Sequence, residues 1–125
     1  KNGFFYSVLL ALSLSPFRGW GSRKLKELLS DQDIHRLTTL HAKSRDNLRE
    51  FPFWGRVMII NQNYLPLFSL NESAYLIWKH LDGRTSLEQL TGIMQSHYEV
   101  ESSQAHQDIL VLLGTLWKKN LITLA

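Results

Sequence analysis

The residue pattern predicts an α+β fold. A small antiparallel β-sheet is followed by a three-helix bundle, winged-helix-like, with an extra and mostly helical segment in front. Three observations carry this. Two extended apolar runs, Arg56–Ile60 and Tyr64–Leu70, flank the turn residues Asn61-Gln62-Asn63. Three later stretches repeat apolar residues at helical spacing, each behind a capping residue. The connections are short, so neighbours in sequence are expected to pack as neighbours in space.

The composition agrees with one folded unit. The 125 residues are 44% hydrophobic and 20% charged, which argues against disorder. There is no Cys, which excludes disulfides, thiolate nucleophiles and Cys-ligated metals. No apolar run reaches the roughly 20 residues needed to cross a bilayer, so no stable membrane insertion is expected. The net charge of +3 is uneven. Residues 1–50 carry nine Lys/Arg against five Asp/Glu, and residues 51–125 carry five against six. The basic surplus therefore belongs to the front of the chain, and the rest has no nucleic-acid footprint.

The division expected is an N-terminal extension over 1–50 and a domain over 51–125. Residues 4–14 form an apolar run, read as a buried helix or strand packed on the rest. A signal-peptide core is an alternative, but Pro16 follows Ser13-Leu14-Ser15 and no Ala-x-Ala pattern is present. A piece of a larger neighbouring domain is another. Pro16, Gly19 and Gly21 mark a loop. Ser22 is set to cap a short helix carrying Leu25, Leu28 and Leu29. Ser30 with Asp33 opens a second, carrying Ile34, Leu37 and Leu40. The polar stretch Ala42–Glu50 reads as a frayed helix end or a linker.

From Arg56 the pattern is a hairpin. Pro66 inside its second run cannot donate to a ladder, so an open edge or a bulge is expected there. Asn71 is a helix N-cap, and Ala74, Ile77, Trp78 and Leu81 share one helical face up to the stop at Asp82-Gly83. Thr85 to Glu88 reads as a capping box for a second helix bearing Leu87, Leu90, Ile93 and Met94. Ser102 or Ser103 caps a third, with Ile109, Leu112, Leu113 and Leu116 as its core stripe. Asn120 ends it, and Leu121-Ile122 folds back as an apolar tail.

The third helix has more apolar surface than one core stripe needs. Leu110, Gly114 and Trp117 form a second stripe at i, i+4, i+7, with His106 one turn earlier. Gly114 weakens the helix by about 1 kcal/mol relative to Ala, and its missing side chain lets another backbone come close. Two readings fit: the N-terminal segment covers this stripe, or it lines a peptide groove beside the open strand. The five His are scattered with no metal-ligand spacing, so no metal or other cofactor is expected. No nucleophile–base pair, phosphate-binding Gly loop or positioned carboxylate pair appears, so no catalytic residue is assigned and the chain is not expected to be an enzyme.

The segments LFSLNESAYLIWKHLDGRTSLEQL and DILVLLGTLWKKNLI closely resemble the PqqD-like family over about residues 56–122. Its members are small peptide chaperones, or precursor-peptide recognition elements, of ribosomally made and then modified peptides. The resemblance implies a three-stranded sheet, three helices, and a leader peptide added as an extra strand beside the third helix. The docking strand would then be Tyr64–Leu70 and the groove helix Gln104–Lys119. The expected peptide-binding residues are Tyr64, Leu65, Leu67, Phe68, Ser69, His106, Leu110, Leu113, Gly114 and Trp117. The family has a strand ahead of Arg56. Here that place holds Leu48–Trp54 with Pro52 inside, so the strand is either irregular or supplied by residues 4–12.

The function implied is non-catalytic capture of a leader peptide in a bacterial cytoplasm and its presentation to a tailoring enzyme, such as a radical-SAM maturase or a leader protease. An open strand edge also allows a homodimer. Two alternatives stand beside this. One is a winged-helix DNA-binding regulator, although the body of the third helix offers Gln107, Asp108 and hydrophobics rather than base-reading side chains. The other is a structural domain of a larger maturation protein.

Overall fold

The computed structural model describes residues 29–125. The apolar run 4–14 and the helix expected behind Ser22 lie outside the described residues, apart from Leu29. Helix α1 spans Asp31–Thr39 and opens with a capping box. Ser30 Oγ accepts from the Asp33 N–H at 3.1 Å, and an Asp33 carboxylate oxygen accepts from the Ser30 N–H at 3.3 Å. Two donors left over at the helix start are thereby satisfied.

Strand β1 (Ala42–Ser44) follows where a linker was expected. It pairs antiparallel with β5 (Ile122–Leu124) in the register Ala42↔Leu124. The alternation of burial explains the pairing. Ala42 and Ile122 point inward, while Lys43 and Thr123 face water.

The second sheet has the order β2-β3-β4, from Arg49–Phe53, Arg56–Ile60 and Pro66–Leu70. Its first strand is thus Arg49–Phe53, with Pro52 paired to Val57 on an outer strand, where a missing N–H costs no ladder bond. Between β3 and β4 the register shifts: Ile59 faces Phe68 and Ile60 faces Pro66. Leu67 is the extra residue of a β-bulge, next to the proline that had signalled one. The strand expected over Tyr64–Leu70 is shorter, because Tyr64 and Leu65 belong to the turn. Asn61 Oδ1 accepts from the N–H groups of Asn63 at 2.8 Å and Leu65 at 3.0 Å, and Tyr64 takes φ 61°. An Asx turn has consumed these backbone donors.

Helix α2 (Glu72–Trp78) is capped by Asn71, as expected. It ends at Trp78 rather than running to Leu81. The N–H groups of His80 and Leu81 bond three residues back, tightening the exit. Gly83, at φ +81°, then donates its N–H to the Ala42 carbonyl.

Helix α3 (Leu87–His97) starts one residue later than expected. The capping box is Ser86 with Gln89, while Thr85 bonds to Asp82. Helix α4 (Ser102–Lys118) has Glu101 at its N-cap and no side-chain cap bond, so neither Ser102 nor Ser103 plays that part. Its end is a Schellman motif. Asn120 has φ 63°, its N–H meets the Trp117 carbonyl, and the Leu121 N–H meets the Leu116 carbonyl.

The core is one apolar cluster joining both sheets and all four described helices. It runs from Leu29, Leu37 and Ala42 through Ile59, Leu70 and Ile77 to Leu90, Met94, Ile109, Leu112 and Ile122. Each fully buried large side chain contributes about 1.5–3 kcal/mol. Helix α4 lies between layers, packing on α3, α1 and β5. That position explains why six of its consecutive residues, Ile109–Gly114, are all buried.

Candidate peptide-binding edge

Strand β4 is an outer strand, hydrogen-bonded to β3 on one side. Among the described residues no strand pairs with its other side. Along such an edge, alternate residues direct their N–H and C=O groups away from the sheet. The side chains alternate too. Residues opposite one another share a face, so Phe68 and Leu70 lie with Ile59 and Val57 toward the helices, and Ser69 lies with Met58 on the far side. Arg56 holds this edge in place: its Nε donates to Ser69 Oγ at 2.7 Å and its Nη2 to the Ser69 carbonyl at 3.3 Å. Leu65 and Leu67 are exposed large hydrophobics at the start of the strand.

The C-terminal end of α4 reaches this strand through its capping residue Lys119, not through the stripe the sequence singled out. Lys119, at the end of α4, sets its Nζ 5.8 Å from the Phe68 ring centre. Two residues earlier on a helix is about 200° around the axis, so Trp117 looks the opposite way. There the Trp117 ring lies under Arg36 of α1, with the guanidinium carbon 5.4 Å from its centre. An added Cβ on Gly114 would stand 2.8 Å from both δ-carbons of Leu29. Lys118 Nζ approaches Asp33 at 4.0 Å.

The surplus stripe Leu110, Gly114, Trp117 is therefore packed by Leu29 and α1. The close approach inferred from Gly114 is made by this chain's own Leu29. Leu110 and Leu113 are buried, and His106 lines a depression of about 840 Å³ bounded by Thr38 of α1 and by α3. None of these five helix residues is on the side that Lys119 shares with Phe68. The stripe on that side is Asp108, Leu112, Thr115 and Lys119, at i, i+4, i+7, i+11. Gln104 Nε2 donates to Asp108 Oδ1 at 2.8 Å on the same flank. Leu112 of this stripe is fully buried and Asp108 nearly so, which leaves Thr115 and Lys119 as its more accessible members.

On the strand side, Leu67, Phe68 and Ser69 stand together on β4, while Leu65 and Tyr64 precede it. The Tyr64 ring is 5.6 Å from the Arg49 guanidinium carbon of β2, across the sheet from the open edge.

A second polar cluster anchors the sheet to the helices. Glu50 on β2 accepts from the Tyr75 hydroxyl at 2.6 Å and from Trp78 Nε1 at 3.1 Å. That hydrogen bond, then burial and the Glu50 charge, hold the Tyr75 phenol above its ordinary pKa. Burial, with Glu72 nearby, raises Tyr98 as well. Asp82 is lowered by bonds from the Arg84 N–H, the Thr85 hydroxyl and the Thr85 N–H. These groups fix turns and packing, and no nucleophile is set against a base among them. Among the described residues no three His, Asp or Glu side chains gather to hold a metal ion, and no helix is long and apolar enough to cross a membrane.

Comparison with known proteins adds to this geometry. No curated protein matches the chain. A solved structure described as TbiB1 in complex with the TbiA(beta) leader peptide matches the fold, with a TM-score of 0.55 and 21% identity. The match covers 64% of this chain and 93% of that one. The family model for PqqD, the coenzyme PQQ synthesis protein D, matches residues 57–122, just over half of the sequence. With its sheet of three strands, its helices and its β4 edge in place, the chain belongs to the PqqD family.

Proposed function

We propose that this protein is a non-catalytic module that captures the leader segment of a ribosomally made precursor peptide in the cytoplasm and presents it to a modifying enzyme. The enzyme would be one such as a radical-SAM maturase or a leader protease. The strand edge and helix that carry this function lie within residues 51–125, although the boundary expected at residue 50 falls inside β2, and α1 and β1 share the same core. The observation that carries this is the outer side of β4, a strand edge with no strand partner among the described residues, with Lys119 at the end of α4 beside its Phe68. Such an edge recognises an extended peptide by main-chain hydrogen bonds, and side-chain pockets set its register. Membership of the PqqD family supports the reading, as does a fold shared with a protein solved with a leader peptide. Leu65, Leu67, Phe68 and Ser69 contact the guest, flanked by Thr115 and Lys119.

The test is calorimetric titration with the leader peptide of the precursor encoded beside this protein. Copies of the peptide N-methylated at single positions probe the pairing. Strand addition predicts that methylation at every second residue lowers affinity at least tenfold, and that the residues between tolerate it. Trp117→Ala leaves affinity within twofold, because Trp117 faces α1. Indifference to methylation at every position overturns strand addition at β4.

A further inference from the structure

The outer face of the three-stranded sheet, turned away from the helices, carries exposed aromatic side chains and two arginines, and no element among the described residues covers it. Register places Phe51 beside Met58, Phe53 beside Arg56 and Arg49 beside Ile60 on that face. Phe51 is 55% and Phe53 53% exposed. At the tip of the β2–β3 hairpin stands Trp54, 88% exposed, its ring edge-on to Phe53 at 6.1 Å.

The tip is an unusual place for a tryptophan. Trp54 has φ 52° and Gly55 φ 76°, the two positive values of a type I′ turn. That first position favours Asn, Asp or Gly, and a bulky residue there is strained. The sequence thus keeps the most exposed large aromatic among the described residues where the backbone disfavours it and no core contact in them requires it. Under the tip lies a cavity of about 550 Å³ between the hairpin and α2, lined by Trp54, Tyr75 and Tyr98 among others. That cavity lies on the helix side of the sheet, so the outer face itself offers the exposed Trp54 beside Phe53 and Phe51, the kind of aromatic cluster on which dominant interface contacts are built.

The charges on this face select the partner. Arg49 and Arg56 are cationic, and the carboxylate of the same strand, Glu50, is turned to Tyr75 and Trp78 on the other side. Two copies set face to face would oppose cation to cation. Two arginines, one already bonded to Ser69, hold an anionic membrane weakly. We infer that the outer sheet face with Trp54 at its tip docks the modifying enzyme, through an apolar patch on that enzyme rimmed by Asp and Glu. This rests on the function proposed above. It places the enzyme on the same sheet that holds the leader, one strand from the β4 edge.

The experiment uses the full chain and the modifying enzyme encoded beside it, with affinity read by biolayer interferometry. Trp54→Asn relieves the turn strain, so its melting midpoint stays equal or rises, while enzyme affinity falls at least tenfold. Phe51→Ser and Arg49→Glu also weaken the enzyme at least fivefold, and added salt weakens the wild type. Leader affinity stays within twofold in all three. Wild-type affinity in Trp54→Asn, or no enzyme binding by the wild type, overturns the inference. So does flotation with phosphatidylcholine–phosphatidylglycerol vesicles that Trp54→Asn abolishes, or a wild-type dimer that Trp54→Asn dissociates. If the leader fails to bind the wild type while the enzyme still docks through Trp54, the proposed function falls and this surface stands.

Discussion

Gly114 is the residue where local and tertiary preferences conflict most plainly. Alanine would favour the helix by about 1 kcal/mol. Its Cβ, however, would sit 2.8 Å from both methyls of Leu29, and Leu29 is only 2% exposed, so those methyls have little room to withdraw. Overpacking of this kind costs about 1–3 kcal/mol. Gly114→Ala is therefore expected to destabilise by about 1 kcal/mol net in urea unfolding. In a Leu29→Ala background the same substitution should become neutral or stabilising, because the clash is gone. An unchanged penalty in both backgrounds would show that Leu29 does not pack against Gly114.

At the scale of elements, the caps decide where helices begin. Ser86 accepts from the Gln89 N–H at 3.1 Å, and Gln89 Oε1 accepts from the Ser86 N–H at 2.8 Å. Thr85 instead bonds to Asp82 at 3.0 Å and closes the preceding turn. Ser86→Ala is expected to cost about 1 kcal/mol. Thr85→Ala, outside the box, should cost about 0.5 kcal/mol or less. Thermal or urea melts of the two variants compare them directly, and the opposite order would return the cap to Thr85. Thr85-Ser86-Leu87-Glu88-Gln89 contains two overlapping boxes, so pattern located the helix start to within one residue. Pro66 was more informative: a missing donor inside a strand predicted a bulge or an open edge, and β4 has the bulge at Leu67 on an outer strand.

At the scale of the whole molecule, the chain is closed by β1 and β5, about 80 residues apart in sequence. The His41 N–H donates to the Ala125 carbonyl at 2.7 Å, and the Ala125 N–H to the His41 carbonyl at 3.0 Å. Arg45 Nη2 reaches Asn120 Oδ1 at 2.6 Å. Ile122 fills the interior beneath this clasp at 1% exposure. Ile122→Ala should cost about 2–5 kcal/mol. Hydrogen exchange of the Arg45 amide, which donates to the Leu121 carbonyl at 3.1 Å next to the Ser44↔Ile122 pair, should quicken with it. Loss of stability without faster exchange there would mean that β1 holds on its own.

Local chemistry set the α+β class, the hairpin, three of the helix starts to within a residue and the left-handed end at Asn120, because caps, turns and periodicity act within a few positions. Which side of α4 reaches β4 through Lys119 was decided by packing alone. Leu29 and Arg36 claim Leu110, Gly114 and Trp117, and a periodic pattern records that a stripe is buried without recording by what. The clasp of β1 on β5 was hidden for the same reason: three-residue strands have too little periodicity to read, and their partner lies at the far end of the chain.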